Sequence, residues 1–369
     1  MNGYVISGVA LLASALSCAP AALAQVAQQA PVPVRNSQGL PNIDGNWVSA
    51  TITPQTRLPE FGDRGVYTAK EVDDIEGTAL RRAEAGDQRT DPNAGPPPGG
   101  PGVDIGAYNR AWLDPGLSLM RVRGEPRNSL IRTADGLPPL PKAGSPITPT
   151  GLLEIQRVRE ATTLRIGFSI SEDGNVLGSP DVDQYTENPE NRSLAERCIT
   201  FGRNGGAPMF PNGAYNNHTK IVQSPDHVAI MVEMVHDTRI IRLNDRKHLP
   251  ANIRPYLGDS VGWYDGDALV IETTNIPESK AFFGSWENLK VTERLSRTPD
   301  DRLSYQFTVE DPTIWDKPWG GEYEFAALDG ELYEYACHEG NYAMPGILAG
   351  SRVEDATRES KAKDKRPSR

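Results

Sequence analysis

From Tyr215 to Tyr342 the chain writes about nine strand-length patterns in succession, apolar positions alternating with polar ones. The cleanest sets Leu303, Tyr305, Phe307 and Val309 against Ser304, Gln306, Thr308 and Glu310, the two faces of one pleated strand. The pattern predicts strands at Lys220–Gln223, Val228–Val235, Thr238–Leu243, Val261–Tyr264, Ala268–Asn275, Leu289–Arg297, Arg302–Glu310, Tyr323–Leu328 and Leu332–Cys337. Asp265-Gly266-Asp267 and Asp329-Gly330 are hairpin signals, and Pro299-Asp300-Asp301 is a turn. Short links make sequential strands antiparallel neighbours, and closure of such a meander removes its exposed edges. The expectation is a mainly β fold: an antiparallel up-and-down meander closed into a lipocalin-like barrel, or a strongly curved sheet.

Before Tyr215 the patterning is weaker. Val48–Ile52 reads as a first strand, and Tyr67–Ala85, with acids early and bases late, as a helix. Residues 91–103 are a Pro/Gly loop. Tyr108–Leu113 and the short strands Leu117–Val122 and Ser129–Thr133 follow, then a Pro-rich run from Pro138 to Pro149. Leu152–Thr163 and Leu194–Phe201 are helical candidates. This places one large domain at 43–351, its mixed, loop-rich part (43–214) packed on a β-meander (215–345), with a charged tail at 352–369.

The first 24 residues carry no charge, are apolar from Val5 to Leu16 and end in Ala22-Leu23-Ala24, a small-residue cleavage signature. They predict a leader cleaved near Ala24, a polar linker at 25–42 and a periplasmic or secreted mature protein. No other stretch has the ~20 apolar residues of a membrane span. The net charge is −11, and the basic tail contributes +3, which leaves the body at −14. An acidic body argues against nucleic acid as a partner. Once Cys18 leaves with the leader, Cys198 and Cys337 remain, a pair expected to bridge in an oxidising compartment.

Candidate chemistry comes from ionisable residues that interrupt apolar faces. Glu293 shares a face with Leu289, Val291 and Leu295, and Glu233 lies within Ala229, Met231 and Val235. A carboxyl in apolar surroundings has a raised pKa and suits general acid–base work; the plain alternative is a buried pair with Arg239 or Arg294. His236 and His338 follow predicted strands and could act as proton shuttles or, with a carboxylate, hold a divalent metal. His218, His227 and His248 read as surface or hydrogen-bonded histidines. Arg239, Trp315, Trp319, Asn341 and Tyr342 are candidates for contacting a substrate. Asp311 reads as a turn cap. No phosphate loop, nucleophile elbow or dinucleotide fingerprint occurs, so no cofactor is expected.

The segments RNSLI (127–131), NNHTKIVQSPDHV (216–228), HLPANIRPYLGDSVGWYDGDALVIETTN (248–275), SWENLKVTER (285–294), VEDPTIWDKPW (309–319) and EYACHEGNY (334–342) resemble a widespread group of uncharacterised secreted bacterial proteins. That group often has Arg where Trp263 stands here. The resemblance implies a shared fold and site over most of 105–352, with no activity attached. Two functions fit this sequence. One is a periplasmic enzyme acting on a small, partly hydrophobic molecule through carboxylate and His acid–base chemistry, as a lyase, isomerase, cyclase or hydrolase. The other is a non-catalytic lipocalin-like binding protein. They differ in whether the ionisable groups share one cavity or pair off separately.

Overall fold

The computed structural model describes residues 34–87, 115–160, 189–192, 194–200, 205–211, 213 and 215–364. The leader, the loop at 91–103, Tyr108–Leu113 and the last five residues of the tail lie outside them. Nine strands close into a barrel: β1 (Gly45–Val48), β4 (His218–Gln223), β5 (His227–Val232), β6 (Thr238–Arg242), β7 (Asp259–Asp265), β8 (Ala268–Thr274), β9 (Lys290–Arg297), β10 (Arg302–Glu310) and β11 (Trp319–Ala327). A separate two-stranded hairpin joins β2 (Arg121–Val122) to β3 (Glu125–Pro126). The mainly β barrel expected from alternation is therefore present, with two departures in its wiring.

The first departure concerns closure. Leu332–Cys337 is not a strand; the place beside β11 is taken by β1, which pairs with both β11 and β4. The chain after Ala327 instead crosses the outside of the barrel as an arm. Leu328 N donates to Asn46 O at 2.9 Å, the Asn46 amide donates to Gly330 O at 2.6 Å, and Lys220 meets Glu331 at 3.2 Å. The second departure is a parallel step. β6 and β7 pair in parallel, Ile241 opposite Ser260 and Arg242 opposite Val261. The connection between them is long enough to return the chain to the same end, which a tight turn cannot do. It is held down by Asn275, whose amide donates to the carbonyls of Leu249, Pro250 and Ile253.

Inward positions fill the barrel. Trp47, Ile221, Ile230, Leu295, Tyr305 and Tyr323 are each at most 2% exposed, so the interior is packed with side chains rather than an open lumen. Gly320 and Gly321, adjacent on β11, make room for this. A Cβ on Gly321 would fall 2.6 Å from the Phe307 ring, and one on Gly320 would fall 1.9 Å from the Phe307 carbonyl oxygen. At one end Phe210, Phe282, Phe283 and Trp315 pack around Trp319 in stacked, tilted and edge-on contacts.

Helix α1 (Ala69–Gly86) starts at a capping box in which Thr68 and Glu71 satisfy each other's backbone N–H groups. Its Val72 packs with Ile52, Tyr67 and Leu119 in a second, smaller core. Helix α2 (Pro149–Glu160) corresponds to the predicted Leu152–Thr163, whose last three residues are not described. The expected helix at 194–201 is a run of turns over Leu194–Thr200. Short α3 (Cys337–Gly340) and long α4 (Ala343–Asp364) close the chain. No helix among the described residues is long and apolar enough to cross a membrane.

Candidate functional site

The predicted ionisable site residues occupy three separate places. Glu293 points into the barrel, as its stripe required, and meets Arg239 there. Both Arg239 guanidinium Nη atoms contact the carboxylate, Nη2 at 2.8 Å from Oε1, and the two side chains are 1% and 0% exposed. Tyr305 donates its hydroxyl to Glu293 Oε1 at 2.8 Å and accepts Met209 N–H at 2.8 Å, while the Tyr323 hydroxyl donates to Met209 O at 3.1 Å. Burial alone would lower the Arg239 pKa, but the adjacent Glu293 carboxylate outweighs it and holds it above the ordinary value. Burial first, then the Glu293 charge, raises Tyr305 and Tyr323 well above the ordinary phenol range. These bonds hold the Glu293 carboxylate in place, and the two tyrosine hydroxyls tie the Met209 backbone to it. Arg239, expected to contact a substrate, is instead the counter-charge of Glu293. Arg294, the other candidate partner, faces outward to Asp265 at 2.7 Å.

Glu233 is buried for a different reason. β5 ends at Val232, and residues 233–236 turn, with Val235 and His236 in the left-handed region at φ 56° and 45°. The predicted strand therefore overruns by three residues, and Glu233 sits at the barrel end beneath the C-terminal arm. Its carboxylate accepts Tyr333 N–H at 2.7 Å and lies 2.9 Å from His218 Nδ1. Glu233 thus anchors the arm. His236 is exposed on the turn, its ring with no part in this contact.

The third place is the bridge region. Cys198 and Cys337 form the expected disulfide. Asn341 donates to Glu196 O at 2.8 Å and lies 3.5 Å from the Cys198 sulfur, which ties α3 to the 194–200 turns. His338 and Asn341 line a cleft of about 490 Å³ together with Pro189, Ile199, Met344 and Pro345, and the ion-paired Arg197 and Glu190 stand at its edge. Tyr342 is 85% exposed and lies beside this cleft in sequence but is not among its lining residues. Trp315 and Trp319 are core, at 3% and 6% exposure, Trp315 Nε1 donating to Pro139 O at 3.1 Å. Aromatic packing, rather than a pocket wall, accounts for both. Asp311 caps its turn as expected, accepting Thr313 N–H at 2.9 Å and the Ser285 hydroxyl at 2.5 Å.

Sequence reasoning missed a fourth cluster. His248 bridges two carboxylates, Nδ1 2.8 Å from Asp259 and Nε2 3.2 Å from Glu272, while Arg242 grips Asp259 with both oxygens at 3.0 Å. The cluster clamps the β6–β7 connection onto the sheet. Its only sequence signal was spacing: once β7 and β8 are aligned, Asp259 pairs with Thr274 and Glu272 with Val261, which sets the two carboxylates diagonally across the hairpin. Within the same connection, the Arg246 guanidinium stacks over Trp263, 4.3 Å from the ring centroid. No group of three or more His, Cys, Asp or Glu among the described residues is arranged to hold a metal ion.

Glu233 and Asp259 lead to a pH prediction. Burial, the largest influence on each, would raise their pKa values. Hydrogen bonds from His218 and Tyr333 N–H outweigh it at Glu233, and those from Leu249 N–H, His248 and Arg242 do so at Asp259; both pKa values lie below normal. A carboxylate lowered in the folded state stabilises fully above its unfolded pKa of about 4 and loses that contribution as pH falls through the folded value. The stability gap between wild type and Glu233→Gln, measured by urea unfolding, is expected to narrow on acidification below about pH 4. A gap that stays constant on acidification would contradict this role.

No family model matches the chain, and no curated protein matches it. Among solved structures, a mutant form of the fluorescent protein UnaG is similar at 14% identity, over 31% of this chain and 72% of that one, with a TM-score of 0.20.

Proposed function

We propose that this chain is a non-catalytic binding protein for a small, partly hydrophobic molecule. In this reading it works in the periplasm or outside the cell after loss of its leader, as one of the secreted bacterial group its motifs resemble. The barrel serves as a rigid scaffold, and the ligand sits in the cleft beside the disulfide.

The observation that carries the reading is that cleft. It is a cleft open to solvent, and its volume of about 490 Å³ gives room for a small molecule. Pro189, Ile199, Met344 and Pro345 supply apolar walls, and His338, Asn341 and Arg197 supply a few polar groups to orient a guest. The acid–base alternative requires its carboxylates in one cavity. Glu293 is committed to Arg239 inside the barrel and Glu233 to His218 and the arm outside it, which favours the carrier.

Native mass spectrometry of protein purified from its own host is expected to show a small-molecule adduct. The hydrophobic probe 8-anilinonaphthalene-1-sulfonate is expected to bind wild type and to bind Met344→Glu at least about tenfold more weakly, with the melting temperature unchanged. Equal probe binding by the two proteins would remove the cleft from consideration.

A further inference from the structure

The outer face of β11 carries an arginine cluster that the acidic overall charge conceals. Glu322 and Glu324 project outward from this strand, yet their side chains are only 6% and 5% exposed because arginines cover them. Arg127 Nη2 lies 2.8 Å from Glu322 Oε1, and Arg132 Nη1 contacts the same oxygen. Arg302 Nε lies 2.9 Å from Glu324 Oε2, and the backbone N–H of Arg123 donates to Glu324 Oε1 at 2.9 Å. Glu125, on the exposed hairpin, reaches Arg127 Nη1 at 3.1 Å.

Three guanidinium groups, those of Arg127, Arg132 and Arg302, thus pair with three carboxylates, and Arg123, whose charge is near enough to act on Arg132, makes the surplus positive. Much of their donor capacity is also unused. The exposed Arg123 guanidinium has no partner among the described residues, and only its backbone N–H is engaged. The Arg132 side chain, engaged through Nη1, is still 48% exposed. Arg123 and Gly124 are consecutive left-handed residues, φ 52° and 81°, at the tip of the β2–β3 hairpin, a turn that normally prefers Asn-Gly or Gly-Gly. Burial, followed by the charges of Arg127 and Arg123, lowers the Arg132 pKa, as expected where like charges crowd without full compensation.

We propose that Arg123, Arg127, Arg132 and Arg302, seated on Glu322 and Glu324, form a binding site for a phosphate monoester. A single carboxylate would be satisfied by one guanidinium fork and would bring one charge. A phosphate monoester brings a charge of about −1.5 to −2 and three acceptor oxygens, which suits donors arriving from the hairpin tip, from the strand and from the 127–132 segment. The body charge of −14 opposes general adsorption of anions, so binding has to come from this local array.

The test uses the full-length mature protein and two probes with the same headgroup chemistry. Glycerol 3-phosphate in calorimetry represents a free metabolite, and phosphatidic acid in phosphatidylcholine vesicles, read by co-sedimentation, represents a lipid surface. Wild type is expected to bind at least one of them, and which one it binds identifies the source. Arg123→Ala/Arg132→Ala is expected to weaken that binding by about tenfold or more, and Arg132→Lys, which keeps the charge and loses the fork, to fall between. Arg123→Ala alone removes a guanidinium that touches no described residue, so its unchanged melting temperature separates lost binding from lost folding. No binding of either probe by wild type, or equal binding by wild type and the double variant, overturns the proposal. The hydrophobic-probe cleft at α3 and α4 is on a different set of residues, so failure here leaves that reading standing.

Discussion

Replacing Glu293 with alanine is expected to destabilise the barrel by about 3–5 kcal/mol, the cost of removing one member of a buried ion pair. Arg239 would be left inside the barrel at 1% exposure with a guanidinium that cannot lose its proton. It already has one unsatisfied donor, Nε, and would acquire two more. Glu293→Gln should lose less, because a carboxamide oxygen still accepts from Tyr305 and Arg239 while the charge goes uncompensated. The informative variant is the double replacement Arg239→Met/Glu293→Met. Exchanging both partners for apolar groups of similar volume is often neutral or stabilising, so most of the loss should return. Urea unfolding of the three variants checks the set. A Glu293→Ala loss of less than about 1 kcal/mol would mean that water or a rearranged partner solvates Arg239. The pair also joins β6 to β9, which are separated in the sheet by β7 and β8, so it ties walls that share no backbone hydrogen bonds.

That outcome was half legible in the sequence. Period-2 alternation put Glu293 on the inner face and gave Arg302–Glu310 the bounds the structure shows, because burial of one strand face is a local property of the pattern. It also offered Arg239 as one of two partners. Selecting between Arg239 and Arg294 requires knowing which strands face each other across the barrel, which no local pattern contains. The same limit explains Leu332–Cys337. Those residues alternate well enough, but a strand needs an edge, and β1 from the other end of the chain already occupies the edge of β11. Glu233 is buried as expected, but the end of its strand was missed for a local reason: nothing in Met231–Val235 signals that a β-branched valine will take a left-handed conformation and end the strand early. The arginine cluster was invisible because Arg123, Arg127 and Arg132 are far in sequence from Arg302, Glu322 and Glu324. The cleft was legible only in part: His338 and Asn341 were candidates, whereas Ile199 and Met344 reach it through the disulfide.

That disulfide carries the second large expected effect. Cys198 and Cys337 are separated by 139 residues, and closing a loop of that length removes about 5 kcal/mol of conformational entropy from the unfolded chain in the loop-closure model. Cys198→Ala/Cys337→Ala should therefore lose several kcal/mol, and wild type measured with reductant should lose a similar amount. The loss should also have a local component. Between Ala327 and α3 the arm is held by Leu328 N–H, the Asn46 amide, an exposed Lys220–Glu331 contact and the Tyr333 N–H bond to Glu233. Surface ion pairs contribute about 0–1 kcal/mol, so without the bridge the segment from Glu334 to Met344 is fastened by Asn341, with Arg192 holding Ser351 of α4 beyond it. Protease cleavage between Glu334 and Met344 should then precede unfolding of the barrel, and probe binding in the cleft should disappear at temperatures where the far-UV signal of the strands persists. If the bridge-free protein keeps both its cleft and its protease resistance, the packing of α3 against the 194–200 turns suffices by itself, and the disulfide acts only on the unfolded chain.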